Sequence, residues 1–125
     1  MINKIRRNEI YLANLGETVG SEEKGVRPVL IIQNDIGNKH SPTTIIIPMT
    51  KRIENQNSIP THIKIKAFGK IKCRATIMAE QIKVIDKRRL IKRIDILPRE
   101  YINEVDRAIR IATNLQERNC YEVYR

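Results

Sequence analysis

The hydrophobic pattern of this chain changes period once, at Pro98, and that change limits the fold more than any other feature. Before Pro98 the apolar residues come in short runs of strand length. Residues 9–15 (Glu-Ile-Tyr-Leu-Ala-Asn-Leu) alternate polar and apolar, as a half-buried strand does. Residues 28–32 (Pro-Val-Leu-Ile-Ile) and 43–49 (Thr-Thr-Ile-Ile-Ile-Pro-Met) are β-branched runs suited to interior strands. Residues 61–66 alternate again, and residues 75–79 and 81–85 read as further strands. After Pro98, residues Tyr101, Ile102, Val105, Ile109, Ala112 and Leu115 recur at spacings of three and four. That spacing predicts one amphipathic helix, with Pro98 in the first turn where a missing N–H costs nothing.

The pattern predicts a single domain over residues 1–125, mostly antiparallel β and closed by a C-terminal helix. A small barrel would hide the strand edges. Residues 16–25 form a polar loop too long for a tight hairpin, and residues 51–60 form a second. Asn34 to Asn38 and Ser41-Pro42 supply turn chemistry. Pro48 cannot donate to a ladder, so it marks an edge or a bulge near Thr50. Residues 118–125 read as a polar tail.

Charge narrows the partners. The chain carries 24 Lys+Arg against 14 Asp+Glu, a net charge of +10, which favours a polyanion or an acidic protein over a neutral metabolite. Its 41% hydrophobic content is too high for a disordered basic tail. No apolar run approaches the roughly 20 residues of a membrane-spanning helix, and no apolar core follows the charged N-terminus, so cytoplasmic residence is expected. Cys73 and Cys120 are expected as thiols, and with His40 and His62 they show no metal-ligand spacing. Phosphate-loop, dinucleotide and nucleophile-elbow motifs are missing. Neither a metal nor a cofactor is expected. His40 and His62 suggest an acid–base pair for RNA cleavage, but one falls in a turn and the other in an alternating strand, where each reads as a surface histidine.

One long string is specific. Residues 20–43 (Gly-Ser-Glu-Glu-Lys-Gly-Val-Arg-Pro-Val-Leu-Ile-Ile-Gln-Asn-Asp-Ile-Gly-Asn-Lys-His-Ser-Pro-Thr) resemble the MazF/PemK family of toxin–antitoxin endoribonucleases. The likeness continues, in order, through residues 6–11, Pro48-Met-Thr50, Ile59-Pro-Thr-His62 and residues 80–90. The resemblance implies an SH3-like small β barrel with a C-terminal helix, a homodimer, and metal-independent, sequence-selective cleavage of single-stranded RNA. It also implies an antitoxin partner, which the charge of this chain would make acidic.

On that resemblance, Arg27 in Gly-Val-Arg-Pro and Thr50 at the end of Ile-Pro-Met-Thr fall on the family's catalytic positions. An arginine fork suits the charge that develops on a five-coordinate phosphorus, and a threonine hydroxyl can donate to the same oxygens. Arginine is a poor general base because its pKa lies above about 12. The base stays open between Glu22, which matches a family glutamate, and some other group. Taken singly, Arg27 would read as a salt bridge before a strand and Thr50 as a strand-end hydroxyl.

Ser21, Glu22, Asn34, Glu80 and Gln81 match positions near the family's RNA groove, where amides and carboxylates can read unstacked bases. Asn34 reads equally well as a turn residue. Lys83, Lys87, Arg88, Arg89, Lys92 and Arg93 form a basic run that tracks phosphates or simply faces solvent. Two departures stand out. Asn8-Glu9 replaces the usual Gly-Asp, and Asn tolerates the left-handed conformation that glycine would supply. Lys24 replaces a loop glycine, which stiffens that loop and adds charge. Two other readings remain on sequence: a CcdB-like gyrase-binding toxin on the same barrel, and a catalytically dead RNA-binding module.

Overall fold

The β-branched runs form strands and the residues after Pro98 form a helix, as their periods predict. The computed structural model describes residues 4–51 and 59–115. Its strands are β1 (Glu9–Asn14), β2 (Val26–Ile31), β3 (Thr43–Thr50), β4 (His62–Ile65), β5 (Ala75–Met78), β6 (Lys83–Asp86) and β7 (Leu90–Ile96). Its helices are α1 (Asp35–His40) and α2 (Ile102–Thr113). The expected tail at residues 118–125 and most of the loop at residues 51–60 lie outside the described residues.

Every strand pairing is antiparallel, in the order β4-β5-β3-β2-β1-β7, with β6 added beside β3. Among the described residues no ladder joins β4 to β7, so the sheet curls without closing into a hydrogen-bonded barrel. The turn after β4 spans part of the opening: the Lys70 amide donates to Asp95 of β7 at 2.9 Å. Helix α2 packs against β4. Pro48 opposes Val29 inside this central strand. It lies between the β6 ladder, which ends at Ile46, and the β5 ladder, which begins at Met49. The proline therefore marks a change of partner within β3, not the edge or bulge its missing N–H suggests.

Both faces of β1, β2 and β3 are covered, which is why their sequences are so continuously apolar. One face carries Ile10, Leu30, Ile47 and Met49 into a core with Ile63, Ile77, Leu97, Val105 and Ala108. The other carries Tyr11, Val29, Ile31 and Ile46 into a core with Ile5, Leu15, Ile85 and Leu90. Strict side-chain alternation divides the two sets.

Several local expectations change. Asn34 opens a short helix instead of a simple turn, its Oδ1 accepting the Gly37 amide at 2.8 Å. The helical pattern begins as a 3₁₀ turn, Arg99–Tyr101, before α2. Asn114, at φ 53°, ends α2 in the left-handed conformation and leaves Leu115 exposed beyond it. Strand β7 was hidden in the basic run because its pairing with β1 shifts register twice, which breaks alternation. Asn8 does adopt the left-handed conformation, at φ 74°. Glu9 beside it is buried, where it accepts the Arg6 amide at 2.6 Å and pairs with Arg93 at 2.6 Å.

Candidate active site

Strand register explains how two residues far apart in sequence meet. Val29, Leu30 and Ile31 oppose Pro48, Ile47 and Ile46. Carried two residues further, the same register sets Arg27 opposite Thr50. Opposed residues of an antiparallel pair present their side chains on one face. Arg27 and Thr50 accordingly line one cleft of about 590 Å³, together with Leu12, Pro28, Met49 and Ile94. Its charged lining residues are Arg27, Lys51, Lys70 and Lys72, and Cys73 also borders it. Every lining charge is positive, as a site for a phosphodiester requires.

The loop between β1 and β2 holds Arg27 from below. Two backbone bonds close the loop at its base: Leu15 N–H to Gly25 O at 2.8 Å, and Gly25 N–H to Gly16 O at 3.0 Å. Gly16 and Gly25 both have positive φ, at 70° and 75°, which lets the chain turn back there. Arg27 Nε donates to Lys24 O at 2.8 Å and lies 3.0 Å from Glu23 Oε2. Both contacts fall on Nε, so the guanidinium is held at its stem end beside the cleft it lines. Glu23 is only 7% exposed. Nothing at the sequence level singled it out as the partner of Arg27; its spacing of four from the arginine has meaning on a helix but none in a loop. Thr50 is 3% exposed, at the last position of β3.

Ser21, Glu22, Glu80 and Gln81 gather in a second, neighbouring hollow of about 350 Å³. It is lined by Ser21, Glu22, Glu23, Glu80, Gln81 and Lys83, among others. Glu23 joins the two concavities, lining the hollow while pairing with Arg27. Gln81 bonds through both ends of its amide there: its Oε1 accepts the Glu23 amide at 2.8 Å and its Nε2 donates to Ser21 O at 3.1 Å. Its amide clamps the β1–β2 loop at two points. Glu80 accepts Thr61 Oγ1 at 2.8 Å and bonds His62 Nε2 at 2.6 Å. Burial alone would raise the Glu80 pKa, but the bonds from His62, its own backbone and Thr61 outweigh it and hold the carboxyl below its usual range. His62 is thus a largely buried partner of Glu80, its side chain 10% exposed, and not a surface histidine; His40 is exposed.

Asn34 stands apart, beyond the far end of β2 from Arg27, with its Oδ1 committed to the helix cap. The basic run is mostly structural. Lys87 Nζ donates to Asn38 O, Arg88 pairs with Asp86, Arg89 Nη1 donates to Asn14 O and Arg93 pairs with Glu9. No described helix is long and apolar enough to cross a membrane.

Comparison with known proteins identifies the fold and the family. The family described as PemK-like, MazF-like toxin of type II toxin–antitoxin systems matches residues 6–113. Among solved structures, MazF from Deinococcus radiodurans is 18% identical, covering 89% of this chain and 97% of that one, with a TM-score of 0.77. An endoribonuclease in complex with its cognate antitoxin, from a mycobacterial species, is 20% identical over 91% of this chain and 99% of that one, at a TM-score of 0.73. A MazE–MazF complex from Deinococcus radiodurans is 17% identical over 90% and 98% of the two chains, at a TM-score of 0.72. At these identities the likeness concerns the fold, a small, mostly antiparallel β sheet with a C-terminal helix. Matched over nearly its whole described length, this chain belongs to the PemK-like, MazF-like toxin family of type II toxin–antitoxin systems.

Proposed function

We propose that this chain is a toxin endoribonuclease that cleaves single-stranded RNA in the Arg27–Thr50 cleft. The observation that carries the reading is that Arg27 and Thr50 line one cleft whose lining charges are all positive. Cleavage is a transesterification. The ribose 2′-oxygen gives its proton to a base and attacks phosphorus, the bond to the 5′-oxygen breaks as that oxygen takes up a proton from Arg27 or from solvent, and the products are a 2′,3′-cyclic phosphate and a 5′-hydroxyl. Negative charge builds on the non-bridging oxygens, where the Arg27 fork donates and the Thr50 hydroxyl adds a second donor. These donors supply the charge stabilisation that a metal ion supplies in other nucleases, so the reaction is proposed to run without one.

The proton leaving the 2′-hydroxyl needs a base, and the β1–β2 loop carries two carboxylates. Glu23 is committed to Arg27, whereas Glu22 is exposed on the wall of the hollow and is the proposed candidate. Ser21, Glu22, Glu80 and Gln81 in that hollow, with Asn34 beyond β2, are the proposed substrate contacts. Gln81 keeps a second N–H and a second acceptor position on its amide with which to read a base.

A homodimer is proposed from the family, and an antitoxin of acidic composition from the net charge of +10. The structural neighbours that contain antitoxins support the second point. The family match and the intact cleft favour RNA cleavage over the gyrase-binding and catalytically dead readings. Incubation with a long, poorly structured RNA in EDTA, followed by mapping of both cut ends, tests the chemistry. Cyclic phosphate and 5′-hydroxyl ends are expected; complete inhibition by EDTA overturns the metal-free mechanism.

A further inference from the structure

The row of opposed residues that contains Arg27 and Thr50 does not end there. Thr50 opposes Thr76 on β5, and Thr76 opposes Lys64 on β4. By register, Arg27, Thr50, Thr76 and Lys64 therefore stand in one line across four strands, on the face opposite the Met49–Ile77–Ile63 core row. Lys64 and Lys66 are two apart on the chain, so they share this face at roughly 7 Å spacing. A hollow of about 350 Å³ is lined here by Lys51, Lys64, Ile65, Lys66, Arg74, Ala75 and Thr76. It shares Lys51 and Ala75 with the catalytic cleft, and its Thr76 opposes the cleft's Thr50 across β5 and β3, so the two adjoin.

Among the described residues, none of the Lys51, Lys64, Lys66 and Arg74 side chains is in an ion pair, and no acidic residue lines the hollow. The backbone beneath them is fixed, since the Lys66 amide donates to the Tyr101 hydroxyl at 3.2 Å. In the basic run after β6, by contrast, four of the cations are tied to protein acceptors, as described above.

We infer that the outer face of β4 and β5 is a phosphate track: Lys64, Lys66 and Arg74, with Lys51 at its mouth, bind the backbone of the RNA that flanks the scissile phosphate. The inference deepens the proposed function and rests on it. A row of unpaired cations leading away from a catalytic cleft matches a polyanion that enters the cleft and continues beyond it. An acidic antitoxin segment fits less well, because a peptide needs apolar anchors beside its charges. The exposed large apolar residues of the described structure, such as Ile36, Val84, Ile91 and Ile96, all lie off β4 and β5. Contacts of this kind carry no sequence information, so they add affinity uniformly across RNA sequences.

The test compares the wild-type chain with Lys64→Gln/Lys66→Gln/Arg74→Gln and with Lys64→Arg/Lys66→Arg. Binding is measured against 2′-O-methyl RNAs, which lack the attacking hydroxyl, of about 4 and about 12 nucleotides over a range of salt. Each lost phosphate contact on a single strand lowers the slope of log K against log salt by about 0.7. The triple variant should lose about 2 from the slope on the longer RNA, on the order of a hundredfold in affinity at 0.1 M salt. The arginine variant should retain both.

An unchanged slope in the triple variant, with wild-type cleavage of unmodified RNA intact, overturns the track and leaves the proposed function standing. Failure of the wild type to cleave any RNA overturns the proposed function itself, whatever the slope. A triple variant that loses binding to poly-glutamate while its RNA slope is unchanged overturns the track in favour of an acidic protein partner.

Discussion

The cleft at Arg27 and the hollow at Gln81 are linked by the ion pair between Arg27 and Glu23, yet they are opposite in charge. The charged groups lining the cleft are Arg27, Lys51, Lys70 and Lys72. Those lining the hollow are Glu22, Glu23 and Glu80 against Lys83 alone. A phosphodiester is stabilised in the first and repelled from the second. A carboxylate that must accept a proton or a base-edge hydrogen bond is better served in the second, away from the competing backbone. Under the proposed function, the contrast separates the work of stabilising charge from the work of reading and proton transfer, and Glu23 couples the two.

The contrast breaks most visibly at Arg27. Arg27→Ala should lower single-turnover cleavage by roughly 10²–10³-fold, the range for removing one preorganised donor to a developing oxyanion. Arg27→Lys should not restore it, because an ammonium cannot span two phosphate oxygens as a fork does. An unchanged rate in Arg27→Ala would move the chemistry out of the cleft altogether. Thr50→Ala should cost less, roughly 10–100-fold, as expected for one hydrogen bond to a charged group. Thr50→Ser, which keeps the hydroxyl in a buried site, should recover most of that loss. Equal losses in both variants would show that β3 packing, and not the hydroxyl, is what matters.

Glu23→Gln probes the coupling. The amide keeps a hydrogen-bond acceptor beside Arg27 Nε but removes a nearly buried negative charge. With the guanidinium less firmly held, kcat should fall by about tenfold, while KM for RNA should fall because one repulsive charge has gone. A role limited to folding would move both constants for the worse, so the split decides between them.

Arg27 and Thr50 were legible in the sequence through the family resemblance and their supports were not, for a physical reason. Arg27 and Thr50 sit in contiguous motifs at strand ends, where the residues around them fix both the strand and its register. Glu23 meets Arg27 through a loop that closes on itself at Gly16 and Gly25, and no periodic signal describes such a path. Glu80 and His62 are 18 residues apart and meet only because β4 pairs with β5, which brings His62 opposite Met78. The basic run drew attention because it is dense along the chain, yet most of its charges are spent on Asp86, Glu9 and backbone carbonyls. The unpaired cations of β4 and its following turn are diluted by alternation with buried isoleucines. Density along a chain is a poor guide to density on a surface when strands alternate sides.

The smallest expected effect separates the two regions by pH. Glu80 is held below its usual range because the bonds from His62, its own backbone and Thr61 outweigh the effect of burial. A depressed carboxyl contributes its full share of stability above the ordinary carboxylate pKa of about 4 and loses it as pH falls through the lowered value. Asp95 behaves alike, lowered by the backbone amides of Lys70 and Ile96, and it pins the turn that borders the cleft. The urea midpoint of the wild type should therefore fall slightly between pH 6 and pH 3. Glu80→Gln should remove only the hollow's part of that fall and leave the part due to Asp95. A Glu80→Gln profile parallel to wild type would mean that the His62–Glu80 pair is screened by solvent and contributes nothing to holding β4 against the turn that carries Gln81.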